Sequence, residues 1–188
     1  TNKITALPNN NADIIYEVNA MKVGQPVGAF FTPEFAGADP ADGDALFYKN
    51  GKGSETTADY SEAERVIAGN PQPTWISGLT NELSFKGLVL SCTFVGEWGA
   101  SIYNHGGRFQ SASADYFDNQ TIDQMNRWQK PGDITIVPQA RLYGANGTQK
   151  SSRYLQKADF IRLRNITLSY SLPQSLLKKT GISSLRVF

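Results

Sequence analysis

The amino-acid sequence predicts an all-β chain of antiparallel strands, and three observations carry that prediction. The stretch Trp75 to Tyr103, WISGLTNELSFKGLVLSCTFVGEWGASIY, alternates with a period of two on both sides of a tight turn at Phe85-Lys86-Gly87. Seventeen glycines are spread over 188 residues with few stretches of helical period, a balance that favours strands joined by many turns. Turn signals such as Pro8-Asn9-Asn10-Asn11 and Asp39-Pro40-Ala41-Asp42-Gly43 recur between apolar runs.

The hairpin is the strongest element. In its second arm Leu88, Leu90, Cys92, Phe94, Gly96 and Trp98 share one face, while Val89, Ser91, Thr93, Val95 and Glu97 share the other. In the first arm Trp75, Leu79, Leu83 and Phe85 share a face with Ser77 and Asn81, opposed by Ile76, Gly78, Thr80, Glu82 and Ser84. One face is apolar and the other mostly polar. Two environments suit such a pattern: a soluble sandwich that packs the apolar face on a second sheet, or an outer-membrane barrel that turns it to lipid. At roughly 3.3 Å per residue and a tilt of about 45°, the second arm rises on the order of 25 Å, the height of a barrel's apolar band. Trp75, Trp98 and Tyr103, at the ends opposite the turn, then read as an aromatic girdle or as ordinary packing.

Before the hairpin, Lys3 to Leu7 has strand character and is closed by the Pro8-Asn turn. The pattern from Ile14 to Val23 is ambiguous. Val27 to Phe35 is apolar enough for a strand, but Pro26 and Pro33 cannot donate to a ladder, so irregular or edge pairing is expected. Ala45 to Lys49 reads as a short strand leaving the Asp39–Gly43 turn, and Asn50 to Pro73 as a long polar loop. Within that loop Ser61-x-x-Glu64 resembles a capping box for a short helix through Ile67, ended by Gly69-Asn70-Pro71.

After the hairpin, Asn104 to Arg153 is the longest irregular stretch. In it Asp118 or Asn119 is placed to cap a helix with Ile122, Met125 and Trp128 on one face, stopped by Pro131-Gly132. Tyr154 to Leu172 then reads as a strand whose phase changes: Ile161 and Leu163 share one parity, Ile166, Leu168, Tyr170 and Leu172 the other. A β-bulge near Arg164-Asn165 repairs this, unless the upper part of the strand lies outside the membrane with a different face covered. Pro173 at a first helical position, Leu176, Leu177, Lys178, Lys179 and Gly181 spell a short connecting helix, and a further strand opens at Leu185.

Composition narrows the functional classes. Eighteen basic and 17 acidic residues leave a net charge of +1, which gives no electrostatic footprint for nucleic acid. The single Cys92 cannot form an internal disulfide. No run of 18 apolar residues occurs, which excludes a spanning helix and says nothing against a barrel. The ends, with no leader before Thr1 and a strand just opening at Phe188, read as those of a fragment.

Catalytic and cofactor signatures are missing from the pattern. His105, the only histidine, lies in Asn104-His105-Gly106-Gly107 with no second ligand spaced for zinc. Gly106-Gly107-Arg108 lacks the Lys-Ser/Thr pair of a phosphate loop. The acidic residues Asp39, Asp42 and Asp44 do not have the spacing of a calcium loop, and an Asx-type turn is the default there. The reading is of a protein that is not an enzyme and holds neither metal nor cofactor. A glycoside hydrolase would need two carboxylates at a fixed separation.

Several motifs in order carry a family resemblance: VGQPVGAFF, AGADPADGD, NPQPTWISGLTNELSFKGLVLS, RWQKPGDITIVPQAR and RYLQKADFIRLRNITLSYSLPQSLLKKTGISSLRVF. Together they resemble the C-terminal barrel half of the SusC/RagA family of TonB-dependent outer-membrane transporters, over essentially the whole chain. The family's usual aspartate after GDIT is Ile136 here, and its usual glycine before RLRN is Ala158.

The resemblance implies part of a 22-stranded barrel in a Gram-negative outer membrane, with the plug, the TonB box and the final strands outside residues 1–188. It also implies import of an oligosaccharide or peptide, energised by the TonB system, with a SusD-like lipoprotein as lid and outer-membrane lipid around the barrel. It implies about seven strands or parts of strands in this stretch. Short turns then belong to the periplasm (Phe85-Lys86-Gly87, Pro173–Ser184 and, by alternation, Asp39–Gly43), and Pro8–Asp13, Asn50–Pro73 and Asn104–Arg153 become extracellular. Thr80, Glu82, Ser91 and Glu97 face the lumen. Arg108, Phe109, Tyr116, Phe117, Trp128 and Tyr143 are the loop residues suited to meet substrate or lid, aromatic planes stacking on sugars and Arg supplying a fork of donors. Packing is the stronger alternative for Trp128 and Phe117. The other reading from a different class is a soluble β-sandwich that binds glycans at a cell surface, with Leu88, Leu90 and Phe94 packed inward.

Overall fold

The computed structural model describes residues 2–115, 119–178 and 181–188. Its strands, in chain order, are β1 (Ile14–Tyr16), β2 (Asn19–Met21), β3 (Ala29–Thr32), β4 (Phe35–Ala38), β5 (Ala45–Tyr48), β6 (Thr56–Thr57), β7 (Val66–Gly69), β8 (Trp75–Phe85), β9 (Leu88–Trp98), β10 (Ser101–Tyr103), β11 (Leu155–Lys157), β12 (Phe160–Ser171) and β13 (Arg186–Val187). All pairings between them are antiparallel. The chain divides into two compact units. One is the chain up to Gln72 together with Ala100–Lys157; the other is Pro73–Gly99 together with Ala158–Phe188.

The second unit is a single sheet in the order β13-β12-β9-β8. Its strands β8, β9 and β12 run for 11, 11 and 12 residues. The β8–β9 turn is Lys86-Gly87, with φ of 46° and 87°, the left-handed pair that a two-residue hairpin demands. Gly87 has a second reason to be glycine: a Cβ there would sit 2.9 Å from the Ser171 carbonyl, and the Ser171 N–H donates to the Gly87 carbonyl at 2.8 Å.

Between β9 and β12 the register slips once. Leu163 faces Phe94 and Asn165 faces Thr93, leaving Arg164 as the extra residue of a bulge. That one slip puts Ile161 and Leu163 on the same face as Ile166, Leu168 and Tyr170. Rows of cross-strand neighbours therefore run Leu79–Phe94–Leu163, Leu83–Leu90–Leu168 and Phe85–Leu88–Tyr170. The reverse face carries Thr80–Thr93–Asn165 and Glu82–Ser91–Thr167. The apolar face is not covered: Leu79, Leu83, Phe85, Ile161, Ile166 and Leu168 are between 58% and 71% exposed. Leu88 and Phe94 are exposed as well, so the inward packing expected of a soluble sandwich is not present.

The first unit forms its core among short strands, in sheets β1-β2-β3-β7, β4-β5-β6 and β10-β11. Pro33 interrupts the apolar run as expected, splitting it into β3 and β4. Ala29, Phe30 and Thr32 of β3 are buried, as are Phe47, Trp128 and Tyr154. Phe35 and Tyr60 meet the Phe47 ring edge-on at centroid distances of 5.6 and 5.2 Å.

Several expectations are corrected here. Lys3 to Leu7 forms no strand, although Ile4 exchanges backbone hydrogen bonds with Gly24 and Gln25. The ambiguous Ile14–Val23 stretch is the β1–β2 hairpin. Residues 50–73 are not a loop throughout, since they contain β6 and β7. The Ser61–Glu64 box caps nothing: Asp59 accepts from the Ser61 N–H and starts a 3-10 turn at Tyr60–Glu62, after which the chain extends into β7. The predicted helix near residue 122 is a 3-10 segment, Ile122–Asn126, starting after Thr121. Asp118 lies outside the described residues. Ile122 and Met125 are exposed while Trp128 is buried, so the three do not form one packed stripe. Pro173 precedes the helix Gln174–Leu177 as its cap instead of opening it, and Lys179 lies outside the described residues. Three long strands and the short β13 form the amphipathic sheet, and the other strands belong to the first unit.

Candidate functional site

The loop candidates resolve into different surroundings. Asn104 follows β10, and its Oδ1 accepts from the Gly107 N–H at 2.9 Å, which starts the short helix Gly107–Gln110. That helix carries Arg108 and Phe109. The Arg108 Nε–H donates to the Thr148 carbonyl at 3.0 Å, and its guanidinium carbon lies 5.9 Å from the Phe109 ring centre, an arrangement that fixes the fork's direction.

Arg108 lines an open cavity of about 580 Å³ with Tyr16, Glu17, Tyr103, His105 and Lys150. Glu17 stands at the β1–β2 turn with a φ of 56°, a left-handed conformation that costs a side-chain-bearing residue strain. Lys150 holds its carboxylate by an ion pair, and Arg65 donates to its carbonyl at 3.1 Å. Hydrogen bonding and charge from Lys150 lower the Glu17 pKa, helped by His105 and Arg108. Tyr103 is pushed up to about 12 by burial, with Arg108 pulling the other way. Its ring lies near those of Phe30 and Tyr154, tilted and edge-on at centroid distances of 6.3 and 6.4 Å, so it packs within this unit. Trp75 and Trp98 are direct cross-strand partners.

Trp128 packs instead of presenting itself. It is 6% exposed, its indole N–H donates to the Pro40 carbonyl at 3.1 Å, and a Cβ on Gly43 would lie 2.6 Å from its ring. The turn is thus packed into the same unit as the loop that contains Trp128. The turn itself is Asx-type, with Asp39 and Asp42 carboxylates accepting from Ala41 and Asp44 N–H groups. Tyr143 is 67% exposed. Tyr116 and Phe117 lie outside the described residues. Among the described residues no group of three or more His, Cys, Asp or Glu is placed to hold a metal.

Arg153, the first residue of the RYLQKADF motif, organises this unit, a role that the motif alone does not reveal. Its Nη1 and Nη2 donate to the carbonyls of Gly147 and Ser111 at 2.9 Å and to Ser113 Oγ at 3.1 Å, and its guanidinium lies 5.5 Å from the rings of both Phe35 and Tyr154. Only the adjacency of an arginine to an aromatic hinted at it. In the sheet unit Thr80, Glu82, Ser91 and Glu97 share the polar face, where the Thr80 and Thr93 hydroxyls meet at 3.2 Å.

One unit is an amphipathic antiparallel sheet with an uncovered apolar face, the pattern of a membrane β-barrel wall, and the other is a packed unit of short strands and loops. No family model matches the chain, but three relatives from Formosa agariphila do: TonB-dependent receptor P3, 28% identical over 92% of this chain and 18% of that protein, receptor P26, 29% over 74% and 14%, and receptor P39, 32% over 63% and 12%. Among solved structures, the RagAB peptide importer in its open-open state matches with a TM-score of 0.80 at 26% identity, over 98% of this chain and 20% of that one. A further structure of the RagAB peptide transporter matches at 0.74 and 26%, over 96% and 20%. The resemblance to TonB-dependent transporters of the SusC/RagA kind therefore holds. The chain spans about a fifth or less of the length of these relatives.

Proposed function

We propose that this chain is a stretch of barrel wall, with its outer loops, in a 22-stranded TonB-dependent transporter that imports an oligosaccharide or peptide through the outer membrane together with a SusD-like lipoprotein. The observation that carries this reading is the uncovered apolar face of β8, β9 and β12, backed by a polar face in register. Such a face suits lipid, and the polar side suits a lumen occupied by a plug. An open sheet edge is untenable in hydrocarbon, so β8 pairs with a strand from the rest of the barrel. The Phe85-Lys86-Gly87 turn and the Pro173–Ser184 connection lie in the periplasm, and residues 50–73 and 104–153 lie outside. Thr80, Glu82, Ser91 and Glu97 line the lumen; Arg108, Phe109, Tyr116 and Tyr143 are the outer contacts.

The test uses the full-length receptor in native outer membranes, with Cys92 replaced by Ser. Leu83→Cys is expected to be shielded from a water-soluble maleimide and Ser84→Cys to react with it once the plug is removed. Equal labelling of the two would overturn the lipid assignment. Mass spectrometry of ligand retained by the receptor–lipoprotein pair then decides between peptide and oligosaccharide.

A further inference from the structure

We propose that the cavity lined by Tyr16, Glu17, Tyr103, His105, Arg108 and Lys150 is a binding site for a carboxylate-bearing ligand. Its lining carries two strongly basic side chains, Arg108 and Lys150, against the single carboxylate of Glu17. Among the described residues the terminal Nη atoms of Arg108 have no hydrogen-bond or ion-pair partner, while Nε and the Phe109 ring hold the group in place. A positioned guanidinium with its fork unoccupied is the geometry that accepts a carboxylate edge-on.

The pocket already shows what it recognises. Glu17 projects its own carboxylate onto Lys150 from a strained turn position, so an internal carboxylate occupies half of the cationic pair. Strain of this kind persists where surrounding contacts hold it, and here those contacts are Lys150 and Arg65. A ligand carboxylate takes the Arg108 fork and competes with Glu17 for Lys150. Tyr16, 77% exposed, offers a flat face beside it for the body of the ligand. The carboxylate could belong to a uronic sugar or to a peptide terminus; the chemistry at Arg108 is the same. Binding at this site does not depend on the transporter reading, which the maleimide experiment tests separately.

The experiment measures binding by calorimetry to the full-length receptor in detergent. The probes are a glucuronic-acid disaccharide and its methyl ester, and tetra-alanine with a free or an amidated C-terminus. One acid probe is expected to bind on the order of tenfold more tightly than its neutral partner, and Arg108→Met to remove that advantage. Glu17→Gln is expected to move the same affinity the other way, tightening it several-fold, because it withdraws the competing charge. The probe that responds identifies the source. The proposal is overturned if acid and neutral forms bind alike, including no binding by any probe at millimolar concentration, or if both substitutions leave the acid preference unchanged or both weaken it. Should Arg108→Met fail to assemble, the acid-to-neutral ratio in the wild type and its increase in Glu17→Gln still decide.

Discussion

Phe47 and Phe94 are both phenylalanines at alternating strand positions, yet Phe47 is 1% exposed and Phe94 39%. Phe47 lies in a four-residue strand with aromatic partners from two other segments across its ring. Phe94 lies in an eleven-residue strand, and its neighbours on the apolar face, Leu79 and Leu163, come only from the strands beside it. Short strands bounded by turns bring different segments over one another and close a core. Long strands in one sheet align their apolar residues without covering them, and the cover has to be supplied by the solvent.

Substitutions in the full-length receptor can break that contrast. The largest effect is expected from Phe47→Ala, at about 3–5 kcal/mol for a fully buried aromatic. Hydrogen exchange should show lost protection at β4–β6 with β8 and β9 unchanged; equal loss in both regions would mean the units are not energetically separate. Next, Leu90→Arg should cost about 2–4 kcal/mol of folding stability in lipid vesicles, while Ser91→Arg should cost close to nothing. Similar costs would remove the distinction between the two faces of β9.

The smallest effect sharpens the picture of the packed unit. Tyr103 ionises at about 12 in the folded chain against an ordinary value of 10. The unfolded chain therefore releases this proton first, so the Tyr103 contribution is intact below pH 10 and is lost as pH rises through 10 to 12. Tyr103→Phe should flatten that part of the melting temperature against pH profile, and an unchanged profile would show that burial of this hydroxyl does not matter to folding.

The legible part of the sequence was the part with the longest single period. Eleven alternating positions on each arm fixed the β8–β9 hairpin and its turn, and the parity change in β12 located the bulge within a residue. The alternation read one step too far, through Tyr103, because nothing in it marks Gly99, where φ is +82° and the Asp159 carboxylate takes the backbone N–H at 2.7 Å. Strand β7 was missed because Val66–Gly69 is short and half of it is Ala and Gly. The carboxylate pocket draws on residues near 16, 105 and 150, which no spacing along the chain connects. Arg153 was missed for the same reason: its partners are mostly backbone carbonyls, which leave no signature in a sequence.

The bulge at Arg164 sets how this strand can change length. Removing Arg164 would let Leu163 and Asn165 follow each other in strict alternation, with every other side chain still on its own face. Removing Thr167, three positions on, would exchange the faces of one end of the strand relative to the other unless a new irregularity formed. Strand β12 thus has one place where its length is free to drift by a single residue, and what such a drift would alter there is the local twist of the sheet.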